Sequence, residues 1–294
     1  MESLWIPVTV WAAFAQTVRN AAQRSLTREL GTLGATLVRF FYGLPFAAAW
    51  LAVVLAWTAS PLPAMGSAFF AWVLLGAVSQ IAATAFLLAT MQERNFALGV
   101  AYSKTEILQV AVFGLAFLGD PLSPATMAAV LFGMAGVLLL SPTGWSGGWT
   151  SRSALLGLAS GAGFALSAVG YRGAALALEG APFLVAAAAT LTVAQAVQTL
   201  LLGGWMAARE LESVLRVLRA WRASLLAGFM GAAASAGWFT AFALEPVAHV
   251  RTLGLVELIF SYLVSLRIFR ERLSRRELGG IALLAVGVVL VLRQ

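Results

Sequence analysis

Long apolar runs separated by short polar connections recur along the whole chain, and their spacing predicts ten membrane-crossing helices. The first half holds runs at 3–22, 34–57, 66–90, 96–118 and 123–140; the second holds runs at 153–176, 182–207, 222–243, 247–267 and 276–292. Each is long enough to cross a hydrocarbon layer of ~30 Å as a helix. Between the halves, Ser141-Pro142-Thr143-Gly144-Trp145-Ser146-Gly147-Gly148-Trp149 reads as a loop, because Pro, Gly and Ser cluster there without periodicity. The expected organisation is a five-helix unit at 1–140, a linker at 141–152 and a second five-helix unit at 153–294.

An internal repeat supports that division. Shifting residues 96–140 by 151 positions sets Ala97 on Ala248, Glu106 on Glu257, Asp120 on Glu271, Leu122-Ser123 on Leu273-Ser274 and Gly136-Val137 on Gly287-Val288. Because each unit has an odd number of crossings, the two would face opposite ways. The expected fold class is therefore an all-α membrane protein, with ten transmembrane helices as two inverted five-helix repeats around a central cavity.

The arginines set the orientation. Arg24, Arg28, Arg94, Arg152, the run Arg209 to Arg222 and the run Arg267 to Arg276 all fall in connections on one side, whereas the other side holds little beyond Arg172, Arg251 and Arg293. Basic loops stay cytoplasmic, so both termini are expected outside. Glu2 stands where a secretory leader would be basic, so the first run is expected to remain in the mature protein.

Gly119-Asp120-Pro121-Leu122-Ser123 leads into a Gly-containing fifth run, and Arg270-Glu271-Arg272-Leu273-Ser274 leads into a tenth with Gly279-Gly280 and Gly287. With the five-plus-five organisation, these motifs make the chain resemble the drug/metabolite transporter superfamily, EamA type. In size, brief loops and the Val38-Arg39-Phe40 run it is most similar to the bacterial aromatic amino-acid exporters. The resemblance implies export of a small organic metabolite across the bacterial inner membrane through a cavity between the halves.

Composition narrows the chemistry. Only 11% of residues are charged, against ~25% in soluble domains, and ten crossings of ~20 residues leave no room for a separate ATPase domain. The chain contains no Cys, one His and one Lys, which removes disulfides, thiolate metal sites and His clusters. No cofactor, metal or catalytic group is expected. The net charge of +7 sits in connections between apolar runs, so membrane lipids, not nucleic acid, are the expected acidic partner.

Ionisable groups inside a bilayer are costly and mark candidate sites. Tyr102, Glu106, Gln109 and Phe113 share one face if 96–118 is a regular helix, and helical rise places Glu106 near mid-membrane, with Glu257 at similar depth from the opposite side. The two carboxylates suit ion coupling, with protons the ion considered, ammonium recognition or gating; helix cross-linking is the competing reading. Lys104 would sit about 200° from Glu106 on such a helix, which predicts no direct pair. Gln80 with Thr84, and Trp238 with Gly231, Ser235 and Phe242, form further polar or aromatic faces. Gln80, Tyr102, Glu106, Gln109, Trp238 and Glu257 are thus the candidate substrate or cavity residues.

Arg39, Lys104 and Arg251 are candidate gates; the alternative is that they snorkel toward the membrane surface, and Lys104 could instead reach a different helix or recognise a substrate carboxylate. Thr192, Gln195 and Gln198 fit interhelical hydrogen bonding, and Ser160, Gly163, Ser167 and Tyr171 fit close packing. The expected function is a secondary transporter exporting amino acids, aromatic or other neutral ones, by alternating access. The alternative is efflux of other small metabolites such as nucleosides, sugars or drugs.

Overall fold

Inside an apolar layer the backbone finds no water to bond, so each apolar run closes its hydrogen bonds on itself as a helix. A computed structural model shows how these helices pack. It describes residues 3–93, 100, 103–104, 106–120, 123–140, 152–268 and, near the C-terminus, 279–280, 282–283, 286 and 289–290. Tyr102, residues 141–151 and most of the tenth expected run lie outside the described residues.

The helices are α1 (Trp5–Phe41), α2 (Leu44–Thr58), α3 (Ser67–Glu93), α4 (Glu106–Phe113), α5 (Pro124–Leu140), α6 (Arg152–Leu176), α7 (Phe183–Arg209), α8 (Leu211–Arg219), α9 (Trp221–Leu244), α10 (Val247–Leu253) and α11 (Val256–Arg267). Among the described residues there is no strand. Segments long and apolar enough to cross a membrane are Trp5–Thr58, Ser67–Gln92, Phe183–Arg209, Trp221–Leu244 and Val247–Val264. The protein is all-α and membrane-embedded.

The first of these segments has 54 residues, far more than the ~20 of one crossing. Gly31 explains it. Its φ of 68° and ψ of 175° lie in a region only glycine enters readily, and there α1 folds back on itself. The Gln23 amide donates to the Ala35 carbonyl at 2.7 Å, whereas residues twelve apart in a straight helix are ~18 Å apart. The sequence-based expectation of a loop over 23–33 is corrected: the chain stays helical to Leu30 and turns at one glycine. Tyr42 and Gly43 keep right-handed helical angles, so the second arm of α1 runs on into α2.

Close packing interleaves elements from the two halves of the sequence. On α6, a Cβ at Gly170 would meet Gly76 backbone at 2.8 Å and one at Gly163 would meet Ala83 at 2.9 Å, so α6 lies directly against α3. Ser160 adds a bond to the Ala83 carbonyl. On α9, Gly228 abuts Tyr42 and Gly237 abuts Ala12, so α9 lies against both arms of α1. Small residues allow this approach, as in other membrane bundles.

Large apolar side chains also cover the outside, Trp57 being 76% exposed and Leu200 74%, while the buried charged side chains are set into an otherwise largely apolar interior. At one end α8 lies between α7 and α9. There Arg209 covers Trp205, Arg222 covers Trp221, and the Tyr42 hydroxyl donates to the carbonyls of Val217 and Leu218. Aromatic rings with cations are the signature of a membrane interface.

Candidate functional site

Two helix irregularities position the site. The expectation of one regular helix over 96–118 is corrected: Lys104 lies in a turn, α4 begins at Glu106, and Gly114–Leu118 forms a π-helical turn before Gly119. The expected run 247–267 is likewise tightened between α10 and α11, where the amides of Leu255, Glu257 and Leu258 bond three residues back instead of four. The Ile107 amide does the same, to Lys104. Lys104 and Leu255, like Ile107 and Leu258, are related by the 151-residue shift that aligns Glu106 with Glu257. Each carboxylate therefore stands in the first turn of a helix that follows a tight turn.

The second tight turn is seated on an aromatic ring. A Cβ at Gly254 would come within 2.6 Å of the Trp238 ring, so only glycine lets the backbone lie against it.

The carboxylates exchange partners between the halves. Lys104 Nζ lies 2.5 Å from Glu257 Oε2, and Arg251 Nη1 lies 3.4 Å from Glu106 Oε1. Each acid is thus neutralised by a cation from the other half. Lys104 also reaches Glu106 Oε1 at 3.5 Å, which overturns the expectation of no such pair. The 200° separation holds only within a continuous helix, and the turn at Lys104 removes that condition.

Neutral groups complete the shell. Gln16 donates to Glu257 Oε2 at 2.7 Å and Asn20 donates to Oε1 at 3.1 Å, while the Trp238 indole N–H donates to Gln16 Oε1 at 2.8 Å. Arg251 lies over the rings of Trp238 and Phe242, at 4.7 and 5.1 Å from their centroids. Arg19 donates to Asn20 Oδ1 at 2.5 Å through Nη2. Arg39 donates to Thr84 at 3.0 Å and Ser235 at 3.4 Å.

All of the charged groups are buried: Arg19 is 0% exposed, Glu257 0%, Glu106 1%, Arg39 2%, Lys104 3% and Arg251 6%. Arg39, Lys104 and Arg251 each turn inward to a polar or charged partner. Among the described residues, four cations face two carboxylates. Arg19 Nη1, Arg39 Nε, Arg251 Nε and Glu106 Oε2 are buried without a hydrogen-bond partner among the described residues.

The other sequence candidates divide. Trp238 belongs to the cluster. Gln80 instead joins a neutral network in which the Tyr171 hydroxyl and the Gln198 amide both donate to its Oε1, at 3.0 and 2.8 Å. Gln109 is half-buried on α4 with Oε1 unpartnered. Gln16, Arg19 and Asn20 are the residues sequence reasoning passed over. Their signal was present, as Gln16, Asn20 and Gln23 recur at i, i+4 and i+7 in an otherwise apolar run.

A second set of polar contacts lies toward the α6–α7 connection, the end opposite α8. Arg172 pairs with Asp120 at 3.0 Å and donates to the carbonyls of Phe242 and Glu245. His249 bridges Glu245 and Thr126 at 2.7 and 2.9 Å. A cavity of about 660 Å³ between α1, α2, α7 and α9 is separate from both sets; Leu4, Trp11, Trp50, Trp57 and Phe229 line it, and no charged residue does. Among the described residues no three metal-ligating side chains come together.

The chain matches no protein-family model and no curated protein. Twenty-four chains of solved structure match it. One, described only as "Crystal structure of protein", superposes with a TM-score of 0.70 at 18% identity, over 99% of this chain and 96% of its own length. At that identity the likeness establishes a shared fold.

Proposed function

We propose that this protein is a secondary transporter of the drug/metabolite transporter type, moving a small organic metabolite by alternating access between two inverted repeats. The observation behind this reading is the crossed pairing of Lys104 with Glu257 and Arg251 with Glu106 at the two tight turns. Interrupted helices that bring charged groups to mid-membrane at corresponding positions of two repeats are how many carriers build a substrate site. Paired, the four groups hold the halves together. A substrate bearing a carboxylate competes for Lys104 or Arg251, and one bearing an ammonium competes for Glu106 or Glu257, so binding releases contacts between the halves. Amino acids present both groups, and an aromatic side chain finds Trp238 and Phe242 beside Arg251. Aromatic amino acids exported across the bacterial inner membrane are the first substrates to test.

The test is counterflow in proteoliposomes loaded with unlabelled tryptophan and given labelled tryptophan outside. A carrier transiently accumulates label above protein-free vesicles, and unlabelled phenylalanine suppresses it. Equilibration without overshoot would replace the carrier with a channel. Folded protein showing no counterflow with any amino acid would overturn the amino-acid reading.

A further inference from the structure

Arg19 and Arg39 stand apart from the exchanged ion pairs. Neither pairs with a carboxylate among the described residues; their hydrogen bonds go to Asn20, Thr84 and Ser235, all neutral. They are neighbours. A Cβ built on Gly231 of α9 would lie 3.1 Å from Cγ of Arg39 and 3.4 Å from Cδ of Arg19, so the same bare backbone supports both stems. Each also keeps one buried guanidinium nitrogen with no partner among the described residues, Nη1 of Arg19 and Nε of Arg39.

Two like charges side by side in a membrane interior repel, and an unbalanced buried charge is among the costliest features a fold can hold. Lys104 and Arg251 are matched by Glu257 and Glu106, so the excess of two positive charges belongs to the arginine pair. A planar guanidinium presents its donors as a fork suited to carboxylate or phosphate oxygens, and two such forks suit a doubly charged anion. Asn20 links this pair to the first carboxylate site, taking a bond from Arg19 and giving one to Glu257.

Resting on the carrier reading above, we infer that Arg19 and Arg39 form an anion subsite and that the transported substrate is a small organic dianion, a dicarboxylate or a phosphate monoester. Gly231 lets both stems pack side by side against bare backbone, and Asn20 couples occupancy of the subsite to the Lys104–Glu257 pair. A net-neutral amino acid would leave two cations unbalanced, whereas a dianion neutralises the interior as it crosses.

Binding is measured first, as thermal stabilisation of the purified full chain in detergent at constant ionic strength. The probes are succinate, glycerol 3-phosphate and inorganic phosphate, with tryptophan and uridine as comparators. The expected result is a rise in melting temperature with succinate or glycerol 3-phosphate, at concentrations at least tenfold below any that tryptophan or uridine requires. Arg39→Gln is expected to weaken that binding at least tenfold and Arg39→Lys less. Gly231→Ala, which crowds both stems without changing charge, should weaken it without touching the ion pairs.

Stabilisation by inorganic phosphate alone would assign the subsite to the free ion and overturn the organic substrate. Equal stabilisation by all five probes, or dianion binding unchanged in both Arg39→Gln and Gly231→Ala, would overturn the subsite. Counterflow separates this inference from the one beneath it. Tryptophan exchange without dianion binding sinks the dianion and keeps the carrier; dianion binding without exchange of any probe keeps the subsite and sinks the carrier.

Discussion

Two buried polar networks cross the bundle, and they are built on opposite principles. The network of Gln80, Tyr171 and Gln198 joins α3, α6 and α7 through neutral groups, and none of its buried side-chain atoms lacks a partner. The network around Glu106 and Glu257 joins α1, α4, α9, α10 and α11 through charges, carries more cations than anions and leaves donors and an acceptor unpartnered. A satisfied neutral network rigidifies a fold and needs nothing further. An underpaired charged one is stable only because surrounding packing holds it, and its groups are free to take new partners. On the proposed carrier reading, the first network is scaffold and the second is the part that exchanges partners during transport.

The sharpest way to break this contrast is to remove one member of the close ion pair. Glu257→Gln leaves Lys104 and the excess positive charge unbalanced. It should lower stability by about 3–5 kcal/mol, the cost of orphaning a buried charge, and reduce transport at least tenfold in counterflow. Lys104→Gln on top of it should recover most of the stability in thermal melts without recovering transport.

Glu106→Gln comes next, because its contacts with Arg251 and Lys104 are longer, at 3.4 and 3.5 Å. A loss of about 1.5–3 kcal/mol, the range for hydrogen bonds to charged groups, should be visible in denaturation of the detergent-solubilised protein. Trp238→Phe removes the indole donor and leaves Gln16 Oε1 unpaired. About 1–3 kcal/mol is expected, with weaker substrate binding in a saturation assay because Arg251 loses part of its aromatic seat. The smallest effect belongs to the scaffold. Tyr171→Phe deletes a hydroxyl, but Gln198 still donates to Gln80; a cost near ~1 kcal/mol with an unchanged transport rate would confirm that this network supports without taking part.

Much of the fold was legible because the apolar period and the length of a membrane crossing are local properties. The correspondence of Glu106 with Glu257 was legible too, through the 151-residue shift, as was the place of Trp238 on one face with Gly231, Ser235 and Phe242. What could not be read is what depends on tertiary placement. The fold-back at Gly31 looked like a loop because Arg24, Arg28 and Glu29 are polar, yet a single glycine turns the chain there. Lys104 was assigned a direction from a helix that stops beside it. Arg19 and Asn20 stood near the end of an expected run, and became interior residues once that arm extended to Leu30. Nor does any local pattern say that an acid of one half will find its cation in the other.

That exchange is the central claim, and a charge swap tests it most directly. Lys104→Glu and Glu257→Lys are each expected to abolish counterflow, because each places two like charges where the wild type holds an ion pair at 2.5 Å. Together they rebuild the pair in reverse and should restore at least a tenth of the wild-type rate. A double variant that is folded but as inactive as either single one, or single variants that transport normally, would contradict the account.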